Sequence, residues 1–355
     1  MNKGKSISPI GVLIDELKAE DSKRRVNSIK NFPSIANAIG PERTRSELLP
    51  FVNELLDDDD EVLLQLADSL SSLTDFIGGN QYAHLLLTPL EKLCYIEDLA
   101  VRDRATQTIV RVVNLTDMKK YEDNVAQFIR RLVNGDYHTA KGAACSIIPG
   151  VFPLCSSNLQ NELIRIFVAL ANDEIPLTRK YASINLKYLM RYLSSSNEND
   201  LISCIKTFMK DDQDFVKLYV VESLVALSQT SSGQKHSSNV LLFVKALAED
   251  PSWRIRYTIA DKIYELGQAL GKTQVKSLLL PFYVNFLKDS EPEIKTIAAS
   301  RLAKFAEFLD ESDITQKIVP CLGPLSKDPM QHVRAALAES LPSLCPIVGR
   351  KSTPE

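Results

Sequence analysis

The chain has 355 residues, of which 45% are apolar and 25% charged, with 13 glycines and a net charge of −3. That profile is the one of a soluble globular protein, and so few glycines suit helices joined by short turns rather than a loop-rich or all-β chain. It excludes the basic footprint needed to hold a phosphate backbone, and no apolar run approaches the length of a membrane span.

In chain order, residues 1–7 read as a short tail, and 8–355 as one repeat array. The apolar stretch from Ile10 to Ile14 is too short for a signal-peptide core and is interrupted by Asp15 and Glu16. Asn2 excludes myristoylation. From there one pattern recurs: an acidic turn, a β-branched or small residue, a basic residue, then an apolar helix. The anchor residues are Val26, Val62, Val101, Ala140, Thr178, Val216, Ile255, Ile294 and Val333, with successive steps of 36, 39, 39, 38, 38, 39, 39 and 39. Four residues after each anchor stands Leu66, Ala105, Ala144, Ala182, Val220, Ile259, Ala298 or Leu337, on the same helix face; Lys30 breaks the rule in the first repeat. Small residues there let neighbouring helices approach closely.

Each repeat also has an earlier helix, marked in four of them by a proline in an apolar run: Pro50, Pro89, Pro281 and Pro320. A proline inside a helix removes a hydrogen bond and kinks it. Asp250-Pro251 and Asp328-Pro329 read as helix starts, with Asp as cap and Pro at the first helical position. One such helix pair cannot bury its apolar faces, whereas stacked pairs share a continuous core. The expected architecture is therefore all-α: an α-solenoid of about nine helix-turn-helix repeats that resemble HEAT repeats. Looser polar connections are expected at 194–200 and 230–239. The last helix still carries Leu337, Leu341, Leu344 and Ile347, so these are expected to be covered by something else or by further repeats.

No catalytic constellation appears. His84, His138, His236 and His332 are scattered over different repeats, and the Asn114 sequon lacks a secretory context. The six cysteines, Cys94, Cys145, Cys155, Cys204, Cys321 and Cys345, form no CxxC pair and mostly read as reduced core thiols of a cytoplasmic or nuclear protein. Gly78-Gly79 reads as a turn. The acidic turns, such as Asp57-Asp-Asp-Asp-Glu61 and Asp211-Asp212, have two equally weighted readings. Either they cap helices and pair with the bases Arg102, Lys141, Arg179, Lys217, Arg256, Lys295 and Arg334, or they form a partner-binding ridge along one edge. Trp253, the single tryptophan, lies in a turn beside Arg254 and Arg256, where partner contact is favoured over a cation–π pair with Arg254; Tyr137 stands in the equivalent turn.

The segments Arg43-Thr-Arg-Ser-Glu-Leu-Leu-Pro-Phe51, Glu61-Val-Leu-Leu-Gln-Leu-Ala67, Asp250-Pro-Ser-Trp-Arg-Ile-Arg-Tyr-Thr-Ile-Ala-Asp-Lys262 and Val12-Leu-Ile-Asp-Glu-Leu17 carry a resemblance to the scaffold (A, structural) subunits of protein phosphatase 2A. The resemblance runs in register from about Ile10 to Glu355. It implies a non-enzymatic scaffold without cofactor, metal, small-molecule ligand, nucleic acid or membrane. Regulatory (B-type) subunits would lie along the turns, at the positions Asp58, Glu97, Asp98, Pro176, Arg179, Trp253 and Arg254. Three positions depart from the family pattern: Tyr137 for Trp, Glu174 for Asp and Lys180 for Arg, the last losing the bidentate fork. These changes imply an altered choice of regulatory subunit. Family members continue past the last residue here, so the catalytic subunit is expected to be held weakly or not at all. The alternative is a HEAT adaptor of another complex, for example of the nuclear-transport kind, with contacts on its helices rather than its turns.

Overall fold

The computed structural model describes residues 11, 15–230 and 235–348, leaving aside the side chains at 237, 343 and 345–348. The motif residues 12–14, part of the expected connection (231–234), the end of the chain (349–355) and the side chains of Cys345 and Ile347 lie outside that description. The described residues are helical, with no strand among them. They fall into two compact units, Met1–Asn185 and Leu186–Glu355.

Eight of the nine anchors sit near the start of the second helix of their repeat, these helices being α1 (Ser22–Lys30), α2 (Asp60–Ser69), α3 (Leu99–Leu115), α4 (His138–Val151), α5 (Pro176–Leu189), α6 (Val220–Ser228), α7 (Trp253–Leu270), α8 (Pro292–Ala306) and α9 (Gln331–Val348). In the sixth repeat the anchor Val216 belongs to a separate turn, Asp214–Lys217, and the chain breaks at Leu218-Tyr219 before α6. Every anchor is buried, as is every residue four places on from the second repeat onward. The 3.6-residue period puts these pairs one above the other on the core-facing stripe.

The first repeat is registered differently from its sequence reading. Val26 is buried, but Arg25 rather than residue 27 makes the contacts that the anchor-following base makes elsewhere, and Ser28, 1% exposed, takes the small-residue position assigned to the exposed Lys30. An arginine stem can reach from either position; which one is used depends on the neighbouring turn, not on the local pattern.

The proline kinks are built in an unexpected way. Before Pro50, Pro281 and Pro320 the chain makes one wide π turn, Thr44–Leu48, Val275–Leu279 and Ile314–Ile318. The N–H of Leu49, Leu280 and Val319 reaches back five residues instead of four, to Thr44, Val275 and Ile314. Widening the turn makes room for the proline ring, which would otherwise meet the carbonyl four residues earlier. Before Pro89 stands a 3₁₀ turn instead, Ala83–Leu86.

The Asp-Pro helix starts are also corrected. α7 begins at Trp253 and α9 at Gln331, so Pro251 and Pro329 precede the helices. Asp250 and Asp328 accept the N–H two residues on, from Ser252 and Met330, which closes a side-chain turn rather than a helix cap. Pro292 and Pro176, by contrast, do open their helices.

In the second unit, Tyr283 and Phe305 are both buried and stack with centroids 4.0 Å apart, and the Tyr283 hydroxyl donates to the Ala298 carbonyl at 2.6 Å. Of the four apolar residues of the last helix expected to need a cover, two are buried within the chain and Leu341 is half-buried. Leu337 and Leu344 are 2% and 3% exposed, because α9 packs along α8 over much of its length.

Thr178 differs from the other anchors, which are Val, Ile or Ala. It is fully buried and its hydroxyl has no partner. A buried hydroxyl without an acceptor is destabilising, and an apolar isostere removes the penalty. Thr178→Val should therefore raise stability by about 1 kcal/mol, seen as a higher thermal midpoint; a lower midpoint would show that the hydroxyl is satisfied in solution.

Candidate partner-binding edge

In most repeats a base beside the anchor reaches an acid in the turn of the following repeat, and the arginines also hold carbonyls of their own turn. Arg256 shows this fully. Nη1 donates to the carbonyls of Asp250 and Pro251 at 2.9 and 3.0 Å, while Nε and Nη2 grip Asp289 at 2.9 and 3.0 Å. Asp289 in addition accepts the Glu291 N–H at 3.0 Å. The same clip recurs as Arg25–Asp58 and Lys141–Asp173 in the first unit, and as Lys217–Asp250 and Lys295–Asp328 in the second. Partners are separated by 32 or 33 residues. Within each unit the clips join successive turns, so these turns lie side by side on one edge.

The clips show which acids of the turns are committed to pairing within the chain. The leading acid of each turn has only 7–16% of its side chain exposed and is already bonded twice, so it is structural. Burial pushes the Asp289 carboxyl up, but its bonds to Arg256 and the Glu291 N–H bring it below the usual carboxylate value. The Lys295 ammonium holds Asp328 down in the same way. Outer acids such as Glu97 and Glu174 stay exposed.

Two clips are absent, and both losses are visible in the sequence once the spacing is known. At the base position of the second repeat stands Leu63, and 33 residues later, at the acid position, stands Ile96. Both charges are gone together, which avoids a half-buried charge without a counterion. In the third repeat the base is Arg102 but the acid position is Gly135.

The ten residues singled out from sequence distribute as follows. Asp58 serves the Arg25 clip, and Asp98 caps α3 by accepting the Val101 N–H at 2.9 Å. Arg179 holds the carbonyls of Asp173 and Glu174 across its own turn. Lys180 and Pro176 are half-buried, Pro176 as the first residue of α5. Glu97 and Glu174 are exposed at the tips of their turns. Tyr137 is 63% exposed, its ring meeting Tyr95 edge-on at 5.5 Å. Trp253 is half-buried beneath the exposed Arg254, whose guanidinium carbon lies 4.7 Å above the ring. The cation–π pair is thus present, and it leaves one face of a flat aromatic–cationic surface at the turn. Sequence reading passed over Leu99 and Leu177, which are 50% and 42% exposed in the turns on either side of Tyr137. Leu99, Tyr137 and Leu177 place one large apolar group at each of three successive turns of the first unit. An apolar residue at the very start of a helix, ahead of the core stripe, is the signal that marks them.

Among the described residues no three potential ligands come together as a metal site. Cys94, Cys145, Cys155, Cys204 and Cys321 are buried, and burial raises their thiols, to about 12 at Cys155 and Cys204. No helix is long and apolar enough to cross a membrane among the described residues.

Comparison with known proteins agrees with the repeat architecture. Residues 272–349 match the family model described as PPP2R1A-like HEAT repeat. The chain is 36% identical over 355 residues to the beta isoform of the human serine/threonine-protein phosphatase 2A 65 kDa regulatory A-type subunit, covering 99% of this chain and 59% of the relative. It is 33% identical over 282 residues to the regulatory A-type subunit of protein phosphatase PP2A from Schizosaccharomyces pombe, covering 78% of this chain and 47% of the relative. The chain thus spans about half the length of the curated relatives it matches. In fold it is similar to the karyopherin Kap121p bound to the extreme C-terminus of the protein phosphatase Cdc14p, with a TM-score of 0.73 over 97% of this chain and 38% of that one; at 13% identity this likeness concerns the fold alone. Repeat spacing, helix pairing and sequence relationship converge: the chain belongs to the HEAT-repeat family of the protein phosphatase 2A regulatory A-type subunits.

Proposed function

We propose that the chain is a non-catalytic scaffold of a protein phosphatase 2A-type Ser/Thr phosphatase complex and binds a regulatory (B-type) subunit through its turns. The observation that carries this is the division of labour at the turns. Where a turn has an inner acid the clip consumes it, as at Asp173 and Asp250, while Leu99, Tyr137 and Leu177 in one unit and Trp253 with Arg254 in the other stay accessible. Aromatic and Arg side chains set in a polar rim are the composition of binding hot spots, and the leucines add apolar contact area around them. Exposed acids at Glu97 and Glu174 would add charge complementarity and set orientation.

The test is a pull-down of phosphatase 2A regulatory subunits by the chain. Trp253→Ala should weaken capture about tenfold or more, with an unchanged thermal midpoint, since the ring is only half-buried. Undiminished capture would remove Trp253 from the interface. The same assay with the isolated catalytic subunit tests the expectation that these 355 residues hold it weakly or not at all; tight capture would refute that expectation. A phosphatase assay on the chain alone should return no activity.

A further inference from the structure

Arg102 lacks the acid that serves Arg25 and Arg256, and something else takes its place. Its Nη1 donates to the carbonyls of Ile96 and Glu97 at 2.7 and 2.6 Å, as Arg25 does to Ala19 and Glu20 and Arg256 to Asp250 and Pro251. In Arg25 and Arg256 the opposite edge then meets a carboxylate of the next turn. In Arg102 the Nη2 of that edge donates instead to the hydroxyl of Tyr181, at 2.9 Å. Tyr181 stands not on the next repeat but on the one after it. To reach Arg102 its ring must pass over α4, and it does so at Gly142. A Cβ at that position would lie 2.5 Å from a ring carbon of Tyr181.

Three otherwise unrelated features thus explain one another: the missing acid at Gly135, the missing side chain at Gly142, and a tyrosine spanning two repeats. Arg102 is only 8% exposed, so it needs a preorganised acceptor, and a bond to a charged donor is stronger than a neutral one. The clips elsewhere join neighbouring turns in pairs. This bond joins the third repeat to the fifth and encloses the fourth between them. The turns so held are the ones that present Leu99, Tyr137 and Leu177.

We propose that Tyr181 is a positioning residue for the binding edge: its bond to Arg102, passing over Gly142, fixes the turns of repeats three to five in one register before a partner arrives. This rests on the reading of that edge as the regulatory-subunit surface. Preorganisation improves binding by removing the ordering cost from the association step.

The test uses the whole chain, two substitutions and two readouts. Tyr181→Phe keeps the ring over Gly142 and removes only the hydroxyl. Amides in the turns 96–99 and 135–138 should then exchange about tenfold faster in the free chain, with those of α1 and α2 unchanged, and affinity for a regulatory subunit should fall about three- to tenfold. Adding Gly135→Asp supplies the ordinary carboxylate 33 residues after Arg102. The backbone there is extended (φ −82°, ψ 165°) and the nearest atom to a new Cβ is 4.0 Å away, so the side chain is accommodated. The double variant should recover both the slow exchange and the affinity. Unchanged turn exchange in Tyr181→Phe, or failure of Gly135→Asp to restore it, overturns the proposal. If exchange behaves as stated while the wild-type chain captures no regulatory subunit, the tie stands and the partner assignment falls.

Discussion

Replacing Tyr137 and Leu177 together by aspartate should reduce affinity for a phosphatase 2A regulatory subunit by a hundredfold or more while leaving the thermal midpoint nearly unchanged. The two side chains are 63% and 42% exposed, so neither contributes much to the core. Their value lies in what they offer a partner. Truncation of a hot-spot residue forfeits about 2 kcal/mol or more, and two such losses correspond to a factor of several hundred. Aspartate adds to this by placing new charge next to Asp136 and Glu174 in a surface that must be desolvated. Leu242 provides the matched control. It is equally exposed, at 63%, but lies on the helix Ser237–Ala248, away from any turn of the edge. Leu242→Asp should leave affinity untouched. Titration calorimetry of the variants against one regulatory subunit reads both results. Full affinity in the double variant, or an equal loss in the control, would show that partners use a different face.

Arg256→Met should lower the stability of the chain by about 2–3 kcal/mol. Methionine keeps the aliphatic stem but removes all four hydrogen bonds of the guanidinium. Asp289, 11% exposed, is then left with the Glu291 N–H and the neighbouring Ser290 hydroxyl. Breaking one partner of a largely buried pair is more damaging than the pair is stabilising, because the survivor stays charged away from water. The pH dependence has a definite sign. The Asp289 carboxyl lies below its ordinary value in the folded wild type, so its contribution is complete above the unfolded value of about 3.9 and fades as the pH falls through the lower folded value. The deficit of Arg256→Met measured by urea unfolding should accordingly be full between pH 5 and 7 and shrink below pH 4, where a protonated Asp289 no longer requires the cation. A deficit independent of pH would mean that the lost stem packing, not the ion pair, is responsible.

Much of this molecule is set by the order of residues alone. The near-constant step between anchors, the buried face they share with the residues four places on, and the all-helical pairing follow from periodicity, because a repeat whose helices must stack cannot vary its length or its apolar stripe freely. The family relationship was legible for the same reason, in the segments around Pro50 and Trp253. The inner and outer roles within one acidic turn were not. Asp58 and Glu97 look alike in sequence, and only a base 33 residues earlier distinguishes an acid that holds the fold from one left exposed.

Tertiary structure alone decided where each helix begins, how the prolines are accommodated and what replaces a missing charge. Asp250-Pro251 has the residues of a helix start, yet the helix waits until Trp253 because the aspartate is drawn toward Lys217 of the preceding repeat and its own turn. The prolines announce a local clash, but whether it is met by a wide turn, as ahead of Pro50, Pro281 and Pro320, or by a 3₁₀ turn, as ahead of Pro89, is not written in the residue pattern. Gly135, Gly142, Arg102 and Tyr181 are unremarkable as letters. Short-range order sets the period, since helix formation and burial act over four residues, whereas the bonds that lock one repeat to another join groups 33 or 79 residues apart and exist only after the helices have packed.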